Sequence, residues 1–377
     1  MTDGTGPTGE GVSDDWLLGL EPPIDPEQAP PDADADVEAD RDWHFDAPLT
    51  PARPAGRPSA GAHGTRLGSD ASRARLTELN GQAAAFFAAA YPASWAAAHL
   101  QERLGTDLTD EPRFPAGYAP ASWTALTDHL RGLGASDAEL LAAGLSSQAR
   151  TGRLIDRFRD RLILPIQTTV TATDATAGGS GVSGEERQTE VVGFIGRRHP
   201  DTDAGPKYLN TGETPLFSKG AQLFGMAEAA GALAAGATPV LVEGPLDAIA
   251  VTLAAGGAAV GVAPLGTAFT DAQADSLRPY LGPGRLGVVV ATDADEAGQK
   301  AAVRAYWQLT ARGGNPTHLV MPDGHDPASL LQTAGPAALR QALTDPPTLA
   351  RTLIDARVGQ FADRMHHAEG PVLAVRS

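Results

Sequence analysis

Residues 286–302 read LGVVVATDADEAGQKAA. An apolar, β-branched run reaches Ala291, Asp293 and Asp295 follow two positions apart, and a small-residue pattern with helical spacing then begins. In an open parallel sheet the carboxyl end of a strand is where ligands are taken. The same strand–helix alternation fills the C-terminal half. TPVLVEG precedes PLDAIAVTLAAGG, AAVGVAPLG precedes TDAQADSLRPYLG, and PTHLVMPDG precedes DPASLLQTAG. Thr270 and Gln273 have the spacing of a capping box. Continuous apolar strands joined by amphipathic helices predict an α/β fold, a parallel sheet covered on both faces.

On that reading the first strand ends at Glu243, the third at Asp293 and Asp295, and the fourth at Asp323 and Asp326. Far apart in sequence, these carboxylates gather on one rim. A single Asp after a strand is equally read as a helix N-cap, and for Asp293 that alternative stays open. Several carboxylates held close together cannot all stay ionised unpaired; their pKa values rise or a cation neutralises them. An oxygen-only donor set suits Mg²⁺ or Mn²⁺ rather than zinc.

Composition narrows the classes. The 377 residues contain no cysteine, which excludes disulfides and Cys-ligated zinc or iron–sulfur sites. No apolar run is long enough for a membrane span, and no signal peptide opens the chain, so a cytoplasmic protein is expected. The net charge of −17 is unevenly placed. Residues 1–46 carry fourteen Asp/Glu against one Arg, leaving only −4 on residues 47–377. This Pro/Gly-rich acidic stretch is expected to be a disordered tail, and the five-Arg segment 48–75 a flexible basic linker. The tail is either simply solvated or covers a basic groove until nucleic acid displaces it.

Order is expected from Leu76. LTELNGQAAAFFAAA has helical period; PASWAAAHLQERLG places Pro92 in a first turn and Gly105 at a stop; SDAELLAAGL opens on a Ser136/Glu139 capping box. RLILPIQTTVTAT and TEVVGFIGRR read as strands around the Gly/Ser-rich DATAGGSGVSGEERQ, which is no P-loop because no Gly-Lys-Ser/Thr follows it. Among 26 Arg there are only three Lys, and Lys207 and Lys219 fall in one stretch, where a compact ammonium is useful. Lys300 reads as a solvated helix residue, and the adjacent His366 and His367 as surface residues.

At this point the motifs resemble a family. VEGPLDAIA, ATDADEAG and PDGHDPASLL are similar to the three acidic motifs of a TOPRIM domain, and FPAGYAPASWTAL, GRLIDRFRDRLILPI, VVGFIGRR, PKYLNTGETPLFSKGAQLFGM and LGTAFTDAQ resemble the RNA-polymerase core of bacterial DnaG-type primases. The resemblance runs from about Leu76 to about Gly335. It implies a TOPRIM parallel sheet flanked by helices over 236–335, preceded by an α+β primase-core N-terminal subdomain over 76–235; 1–75 would be tail and linker, 336–377 a helical extension. It implies Glu243 as metal ligand or general base, Asp247 as its support, and Asp293, Asp295 and Asp326, with Asp323, around the metals. Arg159, Arg161, Arg197, Lys207 and Lys219 would line the path of nucleotide phosphates and template. Tyr208 and Asn210 either meet a base or pin a loop.

The implied activity is metal-dependent synthesis of short RNA primers on single-stranded DNA from NTPs. A TOPRIM nuclease and a catalytically weakened DNA-binding accessory protein are the alternatives. A topoisomerase is disfavoured, since nothing marks one of the five Tyr as a nucleophile. The chain departs from the family in three ways. It has no cysteine for a zinc module, Ala328 stands in the Asp-Pro-Asp motif, and some 40 residues after 335 are too few for a helicase-binding domain. Initiation-site choice and helicase coupling are therefore expected from a separate helicase or initiator protein, or not at all.

Overall fold

The computed structural model describes residues 69–359 apart from 171–187, 204, 267, 282–286, 294 and 323. The acidic segment 1–46, most of the basic linker, Asp323, His366 and His367 lie outside the described residues. Helix α1, Ser69–Ala90, begins before the expected Leu76 and buries Leu76, Leu79, Ala83 and Phe87 at the three- and four-residue spacing of one helix face. Helix α2, Trp95–Leu104, starts later than expected: Ser94 is its N-cap, and Pro92 lies in the turn before it. Gly105 stops α2 with a left-handed φ of 75°, which glycine adopts without steric cost.

Strand β1 (Gly117–Ala119) follows, then α3 (Ala125–Gly132) and α4 (Asp137–Ala142), the latter opened by the reciprocal Ser136/Glu139 capping box. A short antiparallel pair, β2 (Ser146–Gln148) and β3 (Leu154–Asp156), leads into the long strands β4 (Arg161–Val170) and β5 (Gln188–Arg198). With β6 (Tyr208–Asn210) these make an antiparallel sheet of order β1-β4-β5-β6. Phe87, Phe158 and Phe194 pack edge to face between this sheet and α1.

The C-terminal half contains β7 (Leu223–Phe224), α5 (Ala230–Ala234), β8 (Thr238–Val242), α6 (Pro245–Ala254), β9 (Ala259–Pro264), α7 (Asp271–Leu277), β10 (Val289–Ala291), α8 (Glu296–Thr310), β11 (Thr317–His318), α9 (Pro327–Ala342) and α10 (Leu349–Gly359). The sheet order is β11-β10-β8-β9-β7, parallel except for the edge strand β7, which the sequence pattern did not announce. Strands β10 and β11 are much shorter than their apolar runs, although Leu319 N–H still donates to Val290 O at 2.9 Å beyond β11. Alternate residues sort to opposite faces. Val240, Val242, Val289 and Ala291 join one core, while Leu241, Val260, Val262, Val288 and Val290 join the other with Ala302, Ala305 and Leu309 of α8. Strand β9 lies so close to α6 that a Cβ on Gly261 would sit 2.3 Å from Ala248 O.

The first of these cores does not stop at the sheet. It runs continuously from Leu79, Phe87, Leu100 and Phe194 to Val240, Ile249 and Leu330, so both halves share it. Helix α2 packs directly on α9. Among the described residues no helix is long and apolar enough to cross a membrane.

Candidate active site

Three strand ends deliver the acidic rim. Glu243 follows β8; Gly244 caps α6 and Pro245 occupies its first turn, where a missing N–H costs nothing. Asp247 sits in the same turn, half-buried, and its Oδ1 accepts the Ala328 N–H at 3.2 Å, which joins the starts of α6 and α9. Beyond β10, Asp295 caps α8 by accepting the Gly298 N–H at 2.8 Å. Beyond β11, Asp326 caps α9 and exchanges hydrogen bonds with Ser329. The N-cap alternative thus describes Asp295 and Asp326 but not Asp293. A carboxylate at a helix N-terminus gains from the local dipole, so capping also keeps these two charges at the rim.

Asp293 is placed by the backbone instead. Its N–H donates to Glu243 Oε1 at 2.9 Å, which brings the two carboxyl groups beside each other. Gly298 makes this approach possible, since a Cβ there would lie 2.1 Å from Asp293 O. Burial, followed by the charges of Asp293 and Asp295, pushes Glu243 up to about 7. Burial, then Asp326 and Asp293, pushes Asp247 up to about 7 as well. Asp293 is raised by desolvation, Asp326 and Asp295. These mutual effects place Glu243, Asp247, Asp293, Asp295 and Asp326 in one electrostatic cluster. Among the described residues no three acidic or imidazole groups converge tightly enough, as arranged, to grip an ion.

Cations face the rim from the other half. Lys207, at the start of β6, lies in the field of Asp247, Asp326 and Asp293; desolvation and then Arg197 lower its pKa. Arg197 on β5 donates from Nη1 to Tyr208 Oη at 2.6 Å and lies over that ring at 5.3 Å. Its Nε donates to Nε2 of His99 on α2 at 3.1 Å. Arg103, also on α2, reaches Asp326 Oδ1 at 3.5 Å and Gln332 Oε1 at 3.0 Å. Reading the sequence missed both Arg103 and His99. The scarcity that marked Lys207 could not mark one Arg among 26, but a His between Ala96, Leu100 and Leu104 on the apolar face of a short helix was a usable signal.

Three other candidates, Arg161, Asn210 and Tyr208, belong to the scaffold. Arg161 is not part of a cleft lining: it is buried, and its Nη1 donates to Gly196 O and Pro206 O, tying β4 to β5 and the following loop. Asn210 is 1% exposed and donates from Nδ2 to Leu265 O, so it pins a loop and meets no base. Tyr208 is buried too, and its hydroxyl serves Arg197. Arg159 lies over Trp123 at 4.5 Å and donates to Asp156 O. Lys219 is half-buried, its N–H on Glu213 Oε1 and its carbonyl on Gln273 Nε2. Lys300 pairs with Glu296 one turn away on α8, as expected of a solvated residue. Ala328 is fully buried, so this position contributes an N–H to Asp247 and no side chain to the rim.

Known proteins share this fold. Residues 89–178 and 184–230 match the family of the DNA primase catalytic core, N-terminal domain, and residues 240–331 match the Toprim-like family. The chain is 38% identical over 312 residues to the DNA primase of Mycobacterium bovis, which covers 81% of this chain and 45% of that protein. It is 38% identical over 281 residues to the DNA primase of Streptomyces coelicolor, covering 73% and 40%. It therefore spans less than half the length of these curated relatives. The RNA polymerase domain of Mycobacterium tuberculosis primase DnaG superposes with a TM-score of 0.65 at 36% identity, over 81% of this chain and 91% of that one. A DnaG primase catalytic domain bound to ssDNA gives 0.61 at 28% identity, over 77% and 84%. By the two matched domains and the superposed fold, the chain belongs to the DnaG primase catalytic-core family, with its Toprim domain.

Proposed function

We propose that this chain is a catalytic core for template-directed synthesis of RNA primers on single-stranded DNA. The observation that carries the reading is the meeting of Lys207 from the N-terminal subdomain with Asp247, Asp293 and Asp326 from three segments of the Toprim domain. Opposed carboxylates and an ammonium at one cleft suit a triphosphate that arrives with a divalent counter-ion. We place the domain boundaries in the same terms, 76–235 for the N-terminal subdomain and 236–335 for the Toprim domain, with α1 extending the former to Ser69.

The Toprim primase family works with divalent metal ions. The donor set fits one: all the rim groups are carboxylates, and burial, then the charges of neighbouring carboxylates, raises Glu243, Asp247 and Asp293, as expected where negative groups crowd without a cation. Glu243, Asp293, Asp295 and Asp326, with Asp323, would hold it, and Mg²⁺ or Mn²⁺ suits oxygen ligands better than zinc. When bound, such ions lower the cost of charge on the attacking 3′-oxygen and the leaving pyrophosphate.

The protein's own groups divide the remaining work. Glu243 takes up or releases a proton near neutrality beside Asp293. Asp247 keeps the α6 and α9 starts in register through Ala328. Lys207 and Arg197 orient phosphate oxygens, and Arg159 and Lys219 attract the template backbone. Binding of that kind is salt-sensitive and largely independent of base sequence.

The test is incubation with a single-stranded template, labelled NTPs and Mg²⁺ or Mn²⁺. Short RNA of template-directed sequence is the expected product. Cut template would instead indicate a nuclease, and bound but unchanged DNA an accessory protein.

A further inference from the structure

Arg197 is held unusually for a cation meant to meet phosphate. Its Nη1 is committed to the Tyr208 hydroxyl at 2.6 Å and its Nε to an imidazole nitrogen, Nε2 of His99, at 3.1 Å. His99 projects from α2 and is only 8% exposed; the Trp95 ring stands edge-on to it at 6.1 Å. Around it lie Arg197 on β5, Arg103 on its own helix and His199 just past β5. In that setting an imidazolium would join the Arg197 and Arg103 guanidinium charges in a desolvated space. Burial, then Arg197, Arg103 and His199, lower its pKa to about 4. The ring is therefore neutral, and the hydrogen bond from Arg197 requires its proton to sit on Nδ1.

We propose that His99 is a positioning residue, a neutral acceptor that fixes the Arg197 guanidinium against Tyr208 without cancelling its charge. A carboxylate in this place would orient Arg197 equally well but would neutralise the positive field that phosphate needs. A hydrocarbon would preserve the field but leave Nε–H of Arg197 buried and unpaired. An imidazole with a lone pair on Nε2 meets both demands, and Trp95 keeps its plane in place. The use made of Arg197 rests on the primase reading above; the coupling between the two side chains does not.

The experiment compares His99→Phe, which keeps a ring beside Trp95 but removes the acceptor, with His99→Gln, which restores one. Arg197 Nε–H is followed by ¹⁵N NMR, assigned with Arg197→Lys, alongside KM for NTP and kcat in primer synthesis. Wild type and His99→Gln should give one protected Arg197 signal that is lost in His99→Phe. KM should rise about tenfold in His99→Phe, with kcat and melting temperature little changed, and return to within about twofold in His99→Gln. In an Arg197→Ala background, His99→Phe should add nothing.

An unaltered Arg197 signal in His99→Phe, or the same KM penalty in the Arg197→Ala background, would overturn the proposal. A wild-type ¹⁵N spectrum with the proton on Nε2 would do so too, and needs no variant to fold. If wild type makes no primer, the primase reading fails while the NMR comparison still decides the role of His99.

Discussion

The Glu243 carboxyl accepts the Asp293 backbone N–H at 2.9 Å through Oε1, while the neighbouring charges of Asp293 and Asp295 oppose its ionisation. Glutamine keeps an oxygen to accept that N–H and removes the charge. Glu243→Gln is therefore expected to fold normally and to melt no lower than wild type in the absence of metal, while primer synthesis falls by about 10²–10³-fold for want of the charge. Circular dichroism and a primer assay on one preparation check this. Full activity in the variant would remove Glu243 from the chemistry.

One buried and two half-buried carboxyls give the metal-free protein an unusual pH response. Glu228, Glu243 and Asp247 each rise to about 7 from ordinary values of 4.5, 4.5 and 3.8, burial being the main cause. The folded chain binds these protons more tightly than the unfolded chain, so their stabilising effect is complete below about pH 4 and is lost as pH climbs through 7. In chelator, the melting temperature should fall by a few °C between pH 5 and pH 8. Asp247→Asn should flatten the slope, and divalent ions at pH 8 should recover the share of the loss due to Glu243 and Asp247 but not that of Glu228. A melting temperature that rises across this interval contradicts the assignment.

Lys207 and Lys300 make an internal control. Lys300 forms an exposed pair with Glu296, an interaction worth at most about 0.5 kcal/mol. Lys300→Ala should alter neither melting nor synthesis measurably. Lys207→Ala removes the ammonium opposite Asp247 and Asp326, and is expected to cost at least about tenfold in kcat/KM with little loss of stability. Equal behaviour of the two variants in steady-state kinetics would dismiss the cleft role of Lys207.

Gly298→Ala should be harmful at a place where alanine usually helps. Within a helix the exchange ordinarily gains about 0.5–1 kcal/mol. Here the new methyl would lie 2.1 Å from Asp293 O, so the loop carrying Asp293 must move. Overpacking of that order costs about 1–3 kcal/mol, and a displaced Asp293 should bring synthesis close to background. Urea melts and the primer assay measure the two effects separately.

The parallel sheet was legible because buried parallel strands are apolar runs, and those around Val240, Val260 and Val290 are unbroken. The rim was legible because Glu243, Asp293 and Asp326 each end such a run. What escaped was set by contacts distant in sequence. Edge strand β7 is two residues long and is defined only by pairing with β9. Nothing local distinguishes Arg161, buried against two carbonyls, from Arg197, held by Tyr208 and His99, since both flank apolar strands. Tyr208 and Asn210 share one short strand and were equally suited to bases or to loops; burial assigns both to the scaffold.

The continuous core under both halves governs how the molecule comes apart. Its side chains interleave from Leu79 and Leu100 to Ile249 and Leu330, and Arg103 stitches α2 to Asp326 and Gln332 at the cleft mouth. A cut between residues 230 and 236 would bare apolar surface on both products, so neither fragment is expected to remain monomeric alone. The spacing between Lys207 and the acidic rim is thus guarded by the same cooperative transition that melts the whole molecule, and a solvent able to widen that gap by loosening the core would be one already close to denaturing the protein.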